Sequence, residues 1–162
     1  MQQEQAVALR ALTHRFGALL IINDDVELAQ FCEADGVHLG REDGALESAR
    51  QKLGADALLG ASCYQDANLA VQAAAAGADY VAFGSFYSSP TKPNAGRASL
   101  DLLSAKTALP VCAIGGITPA NAAPLVAAGA DMLAVISALY DAPDPAAITR
   151  QFITIFEHKD AL

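Results

Sequence analysis

The chain reads as an α/β protein of the (β/α)8 TIM-barrel type, and three observations predict it. Apolar, β-branched runs alternate with Ala-rich amphipathic stretches, the pattern of parallel βαβ units. A phrase recurs: Ala75-Ala76-Gly77-Ala78-Asp79 leads into Tyr80-Val81-Ala82-Phe83, and Ala127-Ala128-Gly129-Ala130-Asp131 leads into Met132-Leu133-Ala134-Val135. Two consecutive strand ends, Gly115-Gly116-Ile117-Thr118-Pro119 and Ile136-Ser137-Ala138, offer small residues and backbone amides. The loops after the last two strands of such a barrel commonly cradle a phosphate, and amides near a helix start favour an anion.

The elements follow in order. Strands are predicted over residues 18–22, 36–39, 57–61, 79–84, 110–114 and 132–136. Helices are predicted over 3–16, 26–34, 45–53, 66–76, 98–106, 119–128 and 144–158. Gly77 and Gly129 lie 52 positions apart, two βα units. Glu33-Ala34-Asp35-Gly36 is a looser third copy. In each copy the Gly is expected at the helix C′ position in the left-handed conformation. Thr118 before Pro119 reads as an N-cap with Pro at N1, and Asp144 before Pro145 repeats that signal. No linker or low-complexity tract interrupts the pattern, so residues 1–162 are expected to form a single, partial barrel domain. The pattern shows six strands where a closed barrel has eight. With the last two counted as strands 7 and 8, strand 1, helix 1 and strand 2 are expected to be absent. Strands 3 and 8 would then be open edges.

Composition narrows the function. The net charge is −8, without the basic face of a general nucleic-acid binder. No apolar run reaches the ~20 residues that span a bilayer. The polar start Met1-Gln2-Gln3-Glu4-Gln5 lacks the basic region of a signal peptide, which points to the cytoplasm. Cys32, Cys63 and Cys112 have neither metal spacing nor a disulfide pattern and read as buried free thiols.

Four constellations carry candidate chemistry. Asn23-Asp24-Asp25 closes the first strand, and Gly40-Arg41-Glu42-Asp43 follows the second. Asp24 and Asp43, one from each of two adjacent strand ends, could converge on Mg2+, which takes one or two carboxylates plus substrate phosphate oxygens. The competing reading is that both cap helices. Ser62 ends a strand and could donate to a ligand, or be an ordinary turn serine. The polar stretch Gly84-Ser85-Phe86-Tyr87-Ser88-Ser89-Pro90-Thr91-Lys92-Pro93-Asn94-Ala95-Gly96 is long for a βα loop and clusters hydroxyls around one lysine. It suits a phosphate or pyrophosphate, or is merely solvated. His38 reads as a satisfied core histidine rather than a catalytic one. No Ser–His–Asp order, Cys–His dyad or phosphate-binding nucleotide loop appears.

In that order IINDD, GVHLGRED, GAS, GSFYSSPTKPNAG, AIGGITPAN and AVISAL resemble thiamine-phosphate synthase, from about Gly17 to the C-terminus. The resemblance implies a transferase of thiamine biosynthesis. It would join 4-amino-2-methyl-5-(diphosphooxymethyl)pyrimidine to a thiazole phosphate, releasing pyrophosphate and giving thiamine phosphate. It implies a dissociative reaction without a protein nucleophile. By resemblance Asn23 and Ser62 would contact the pyrimidine substrate. Asp24 and Asp43 would hold Mg2+. Ser89, Pro90 and Thr91 would face the thiazole phosphate, Ser89 standing where the family often has Thr. Lys92 would bind the leaving pyrophosphate, and Gly116, Ile136 and Ser137 would cradle the thiazole phosphate. The family's Gln-x-Arg-x-Lys segment has no counterpart in the sequence, so a chain of this length is expected to be weak alone. Two alternatives remain: a non-catalytic phosphate-binding remnant whose edges are covered by forming a homo-oligomer, and a thiazole tautomerase-like isomerase.

Overall fold

The computed structural model describes residues 1–88, 96–104 and 107–157. The strands are β1 Ile21–Asn23, β2 Gly36–Leu39, β3 Leu58–Tyr64, β4 Tyr80–Gly84, β5 Val111–Ile114 and β6 Met132–Ala134. Their order in the sheet is their order in the chain. The helices are α1 Gln2–Arg15, α2 Val26–Phe31, α3 Leu46–Leu53, α4 Ala67–Ala75, α5 Pro119–Ala127, α6 Ser137–Tyr140 and α7 Pro145–Glu157. The expected α/β alternation is present. The residues form two compact units: Met1–Ser62 with Ala70–Val81, and Cys63–Leu69 with Ala82–Leu162.

In the first unit β1 and β2 pair parallel, as do β2 and β3, with Val37 opposite Leu59 and His38 opposite Gly60. Side chains alternate across a strand. Val37, Leu39 and Leu59 therefore share one face, where they pack with Ala29 and Ala49 and with the flanking Ile22, Val26, Leu46 and Leu53. His38, Gly60 and Ser62 fall on the other face. Burying that aliphatic set contributes roughly 1.5–3 kcal/mol per large side chain.

In the second unit β5 and β6 pair parallel. Phe83, Val111, Ala113, Leu125 and Val126 are buried, and α7 packs on α5. Both expected N-terminal signals act. Asn121 Oδ1 accepts the Thr118 N–H at 2.8 Å at the start of α5. Asp144 Oδ1 accepts the Ala147 N–H at 2.9 Å at the start of α7.

The repeated phrase builds one corner three times. Ala78 N–H bonds Ala73 O, and Ala130 N–H bonds Leu125 O, closing α4 and α5 as Schellman ends around Gly77 (φ 86°) and Gly129 (φ 117°). The third copy corrects the expectation. Glu33, not Gly36, occupies the left-handed position (φ 53°), and Ala34 N–H bonds Ala29 O. Gly36 instead begins β2, where a Cβ would lie 2.0 Å from Leu58 O. The residue before the strand in the last two copies, and before Gly36 in the first, is Asp, and its carboxylate accepts a backbone N–H from the preceding strand or, for Asp35, from the residue just before it. Asp35 takes Leu20 N–H at 2.7 Å, Asp79 takes Leu59 N–H at 2.7 Å and Asp131 takes Val111 N–H at 2.9 Å. Each Asp N–H returns a bond to the carbonyl of that same residue. Arg10 pairs with Asp35 at 3.3 Å, and Arg50 with Asp79 at 2.7 Å.

Other boundaries move for local reasons. β1 starts at Ile21 rather than residue 18, just after the Leu20 N–H that Asp35 holds. α2 stops at Phe31 because Glu33 has left the helical region. Of the helix expected over 98–106, the described residues show one 3-10 turn, Leu100–Leu102, capped by Ser99. β6 ends at Ala134, and the unforeseen α6 begins at Ser137.

Asp79→Ala removes two charge-assisted hydrogen bonds, each worth about 1.5–3 kcal/mol when fully sheltered. In this half-exposed corner the expected loss is about 2 kcal/mol, read as a lower urea midpoint. Asp79→Asn, which can still accept the Leu59 N–H, should lose less.

Candidate active site

In the second unit a cavity of about 160 Å3 is lined by residues 114–118, residues 134–138 and Ser88. That is room for about five waters at their liquid volume. Its polarity is set by where the carbonyls go. Ile114 O accepts Phe86 N–H at 3.1 Å, and Gly115 O accepts Tyr87 N–H at 3.0 Å. Gly116 O accepts Asn121 Nδ2–H at 3.1 Å. Three acceptors that would repel an anion are thus engaged. Opposite them, Ile136 O accepts the N–H groups of Leu139 and Tyr140 at 3.0 and 2.9 Å and opens α6. The amides of Ser137 and Ala138 belong to the first turn, which has no partner within a helix. An amide-rich pocket suits a phosphoryl group. Gly116, Ile136 and Ser137 therefore meet in one cavity, as the sequence predicts.

Gly116 is required there. It sits at φ 63°, and a Cβ would lie 2.4 Å from Ser88 O and 2.9 Å from Tyr87 Cβ.

In the first unit Asp24 and Asp43 line another cavity with Asp25, Glu27 and Lys52. The helix-capping alternative does not hold for either. Asp25 is the N-cap of α2, taking Leu28 N–H at 2.8 Å, and α3 starts from Ala45. Glu27 is paired with Lys52. Neither Asp24 nor Asp43 is the N-cap of α2 or α3. Asp24 sits in the left-handed region at φ 66°, a conformation that clusters at functional sites. Its Oδ2 accepts Asn23 Nδ2–H at 2.6 Å, and Asp43 Oδ2 accepts Gly40 N–H at 2.8 Å. Among the described residues no group of three or more His, Cys, Asp or Glu could enclose a metal. A hard cation at this pair must complete its shell with oxygens from elsewhere.

Ser62, on β3, meets His38, on β2. His38 Nε2 lies 2.9 Å from Ser62 Oγ, and His38 Nδ1 lies 3.0 Å from the hydroxyl of Tyr80, the first residue of β4. Gly60 leaves room for this pair: a Cβ there would lie 2.4 Å from His38 Nδ1 and 2.2 Å from Tyr80 Cζ. His38 is a satisfied, half-buried histidine, as expected. Burial lowers its pKa, with the nearby charge of Asp43 pulling weakly the other way. The cysteines are buried free thiols. Burial pushes Cys63 and Cys112 up to about 11, which keeps them unreactive.

Ser89, Pro90, Thr91 and Lys92 lie outside the described residues. Arg97 donates from Nη2 to Ser88 Oγ at 2.7 Å, a cation next to the amide cavity that sequence reasoning missed. It also missed Tyr80, α6 and Asn121. Asn121 holds the 116–118 turn from both sides, and its own carbonyl accepts the Tyr87 hydroxyl at 2.8 Å. The three-residue spacing from Thr118 to Asn121 was an available signal, since it is that of a capping box.

Gly116→Ala should destabilise the chain by about 1–3 kcal/mol, seen in thermal unfolding, and remove phosphate binding in calorimetry. The lowered His38 pKa also sets a sign. The unfolded chain binds that proton first, so His38 supports the fold above about pH 6.5 and loses this contribution as pH falls toward its folded value. His38→Gln should flatten the stability profile below about pH 6.5, checked by urea titrations at each pH.

The family model described as thiamine monophosphate synthase matches residues 1–139. A thiamine-phosphate synthase from Thiobacillus denitrificans is 63% identical over 143 residues, covering 86% of this chain and 68% of that protein. One from Thioalkalivibrio sulfidiphilus is 52% identical over 159 residues, covering 96% of this chain and 75% of that protein. The solved thiamine phosphate pyrophosphorylase from Pyrococcus furiosus superposes with TM-score 0.87 at 35% identity, over 98% of this chain and 77% of that one. A 3-hexulose-6-phosphate synthase from Salmonella typhimurium, at TM-score 0.72 and 20% identity, shares the fold. The chain belongs to the thiamine monophosphate synthase family.

Proposed function

We propose that this chain condenses the pyrimidine diphosphate with the thiazole phosphate to give thiamine phosphate and pyrophosphate. Family membership makes it a transferase, and the observation that carries the substrate reading is the amide cavity. The carbonyls of Ile114, Gly115 and Gly116 are engaged elsewhere, and the turn lines one cavity with the first turn of α6. That arrangement supports binding of the thiazole phosphoryl group by Gly116, Ile136 and Ser137, mainly through backbone.

The acidic cavity supports the other substrate. Asp24 and Asp43 are hard oxygen donors, two in number, in a lining that offers no soft ligand. This fits Mg2+, which commonly takes one or two carboxylates and shares its shell with phosphate oxygens. When bound, the ion neutralises charge on the diphosphate leaving group. Asn23 and Ser62 stand at the carboxyl ends of β1 and β3, where they would hold the pyrimidine. Lys92 would meet the leaving group, and Ser89, Pro90 and Thr91 the thiazole phosphate. The eight-stranded barrel plan belongs to this same reading.

In this chemistry the pyrimidine methylene C–O bond breaks with its electron pair leaving on pyrophosphate. The thiazole nitrogen lone pair then forms the C–N bond. No proton moves, so the chain needs no general base. Its residues position the two partners and bind charge. The isomerase alternative has no diphosphate for an acidic, cation-fitting cavity to serve.

Pyrophosphate should be released when both substrates and Mg2+ are present, and not when any one is withheld. Release without the thiazole phosphate at an equal rate would replace transfer by hydrolysis. In the active enzyme Asp24→Asn should raise the Mg2+ concentration for half-maximal rate and depress kcat at least tenfold, about 1.4 kcal/mol in the barrier. Ser137→Ala should change the rate less than threefold, because the contact there is backbone.

A further inference from the structure

Ser62 is held by a histidine that is itself held, and this arrangement restricts what its hydroxyl can do. We infer that the Tyr80–His38 pair is a positioning device that turns the Ser62 hydroxyl into a hydrogen-bond donor toward the pyrimidine substrate. The inference rests on the substrate reading above and adds the direction of the hydrogen bond.

A neutral imidazole has one donor and one acceptor nitrogen. The contacts of 3.0 Å at Nδ1 and 2.9 Å at Nε2 use both. Two arrangements satisfy them. In one, the Tyr80 hydroxyl donates to Nδ1 and Nε2–H donates to Ser62 Oγ, leaving the serine proton for a ligand. In the other, Nδ1–H donates to Tyr80 and the serine proton is spent on Nε2, so that Ser62 can only accept. A phenol is a better donor than acceptor, because its oxygen lone pair is delocalised into the ring. Tyr80 therefore selects the first arrangement, and Ser62 presents its proton. Pyrimidine ring nitrogens are acceptors of the matching kind.

The surroundings are built for this pair. β2 and β3 pair with His38 opposite Gly60, and Ser62 follows Gly60 by two residues, on the same face. Any side chain at position 60 would strike both the imidazole and the phenol. The two rings lie 5.5 Å apart, tilted by 34°.

Two measurements test it. Nitrogen-15 NMR of His38 reads the tautomer directly, with or without turnover. The native chain should show the proton on Nε2, and Tyr80→Phe should shift the population toward Nδ1–H. In steady-state kinetics Tyr80→Phe should raise KM for the pyrimidine diphosphate about three- to tenfold, the worth of one neutral hydrogen bond. KM for the thiazole phosphate should stay within twofold. His38→Gln, whose amide N–H can donate from the place of Nε2, should retain more pyrimidine affinity than His38→Asn, which can reach only toward Tyr80. Adding Tyr80→Phe to Ser62→Ala should cost nothing further. An active chain with the native proton on Nδ1, or a Tyr80→Phe variant that loses both substrates equally, overturns the positioning role and leaves the substrate reading standing. A chain with the Nε2–H tautomer that turns over neither substrate pair overturns the substrate reading, and the role assigned to Ser62 falls with it.

Discussion

The structure depends on an aspartate at the foot of a strand. Asp35, Asp79 and Asp131 each follow a Schellman helix end and each clamp the strand before their own. The bond is double, carboxylate to N–H and N–H to carbonyl, so it fixes position along the strand as well as distance. Register in a parallel pair matters because a slip of one residue exchanges the two faces. In the first unit such a slip of β2 would send Val37 and Leu39 out of the core and His38 into it. The clamps sit at the amino ends of the strands, the end that carries stability in this class of fold. The candidate site residues sit at the carboxyl ends, each on its own strand or just beyond it.

The proposed anion sites lie in a chain of net charge −8. Net charge governs solubility and long-range steering, while binding is decided by local dipoles. The cavity of the second unit recruits amides by disposing of carbonyls. Phe86 and Tyr87 take two, and Asn121 takes the third while its oxygen anchors Thr118. Asn121 thus acts on the pocket without any need to touch what the pocket binds.

What could be read from the sequence follows from how local each signal is. Gly77 and Gly129 announce their helix ends because the left-handed conformation costs glycine little. Glu33 adopts the same conformation without announcing it, since its fit comes from the surrounding corner. The Gly116/Ser137 pocket was legible because small residues at two consecutive strand ends are a sequence pattern. α6 was not, because four residues are too few to show a helical period. Asp24 and Asp43 were legible as a pair, while it took the structure to give the capping role at α2 to Asp25. The link from His38 to Tyr80 spans 42 positions, and alternation along a strand assigns a face but not a neighbour.

The acidic cavity carries one further consequence for the proposed reaction. Its lining includes one lysine, and Lys52 is paired with Glu27. Two carboxylates facing a diphosphate without a counter-ion would repel it, by about 1 kcal/mol per pair of charges at 4 Å even with the full screening of water and by more where water is excluded. In the proposed reaction a cation shared by the pair and the diphosphate offsets that repulsion, so the affinities for cation and diphosphate rise together, each by the same factor. The amide cavity has no carboxylate among its described lining residues, and the carbonyls of Ile114, Gly115 and Gly116 are engaged within the protein. The thiazole phosphate can therefore bind with or without the cation, whereas the substrate that ionises is held only when the charge its departure creates is already matched.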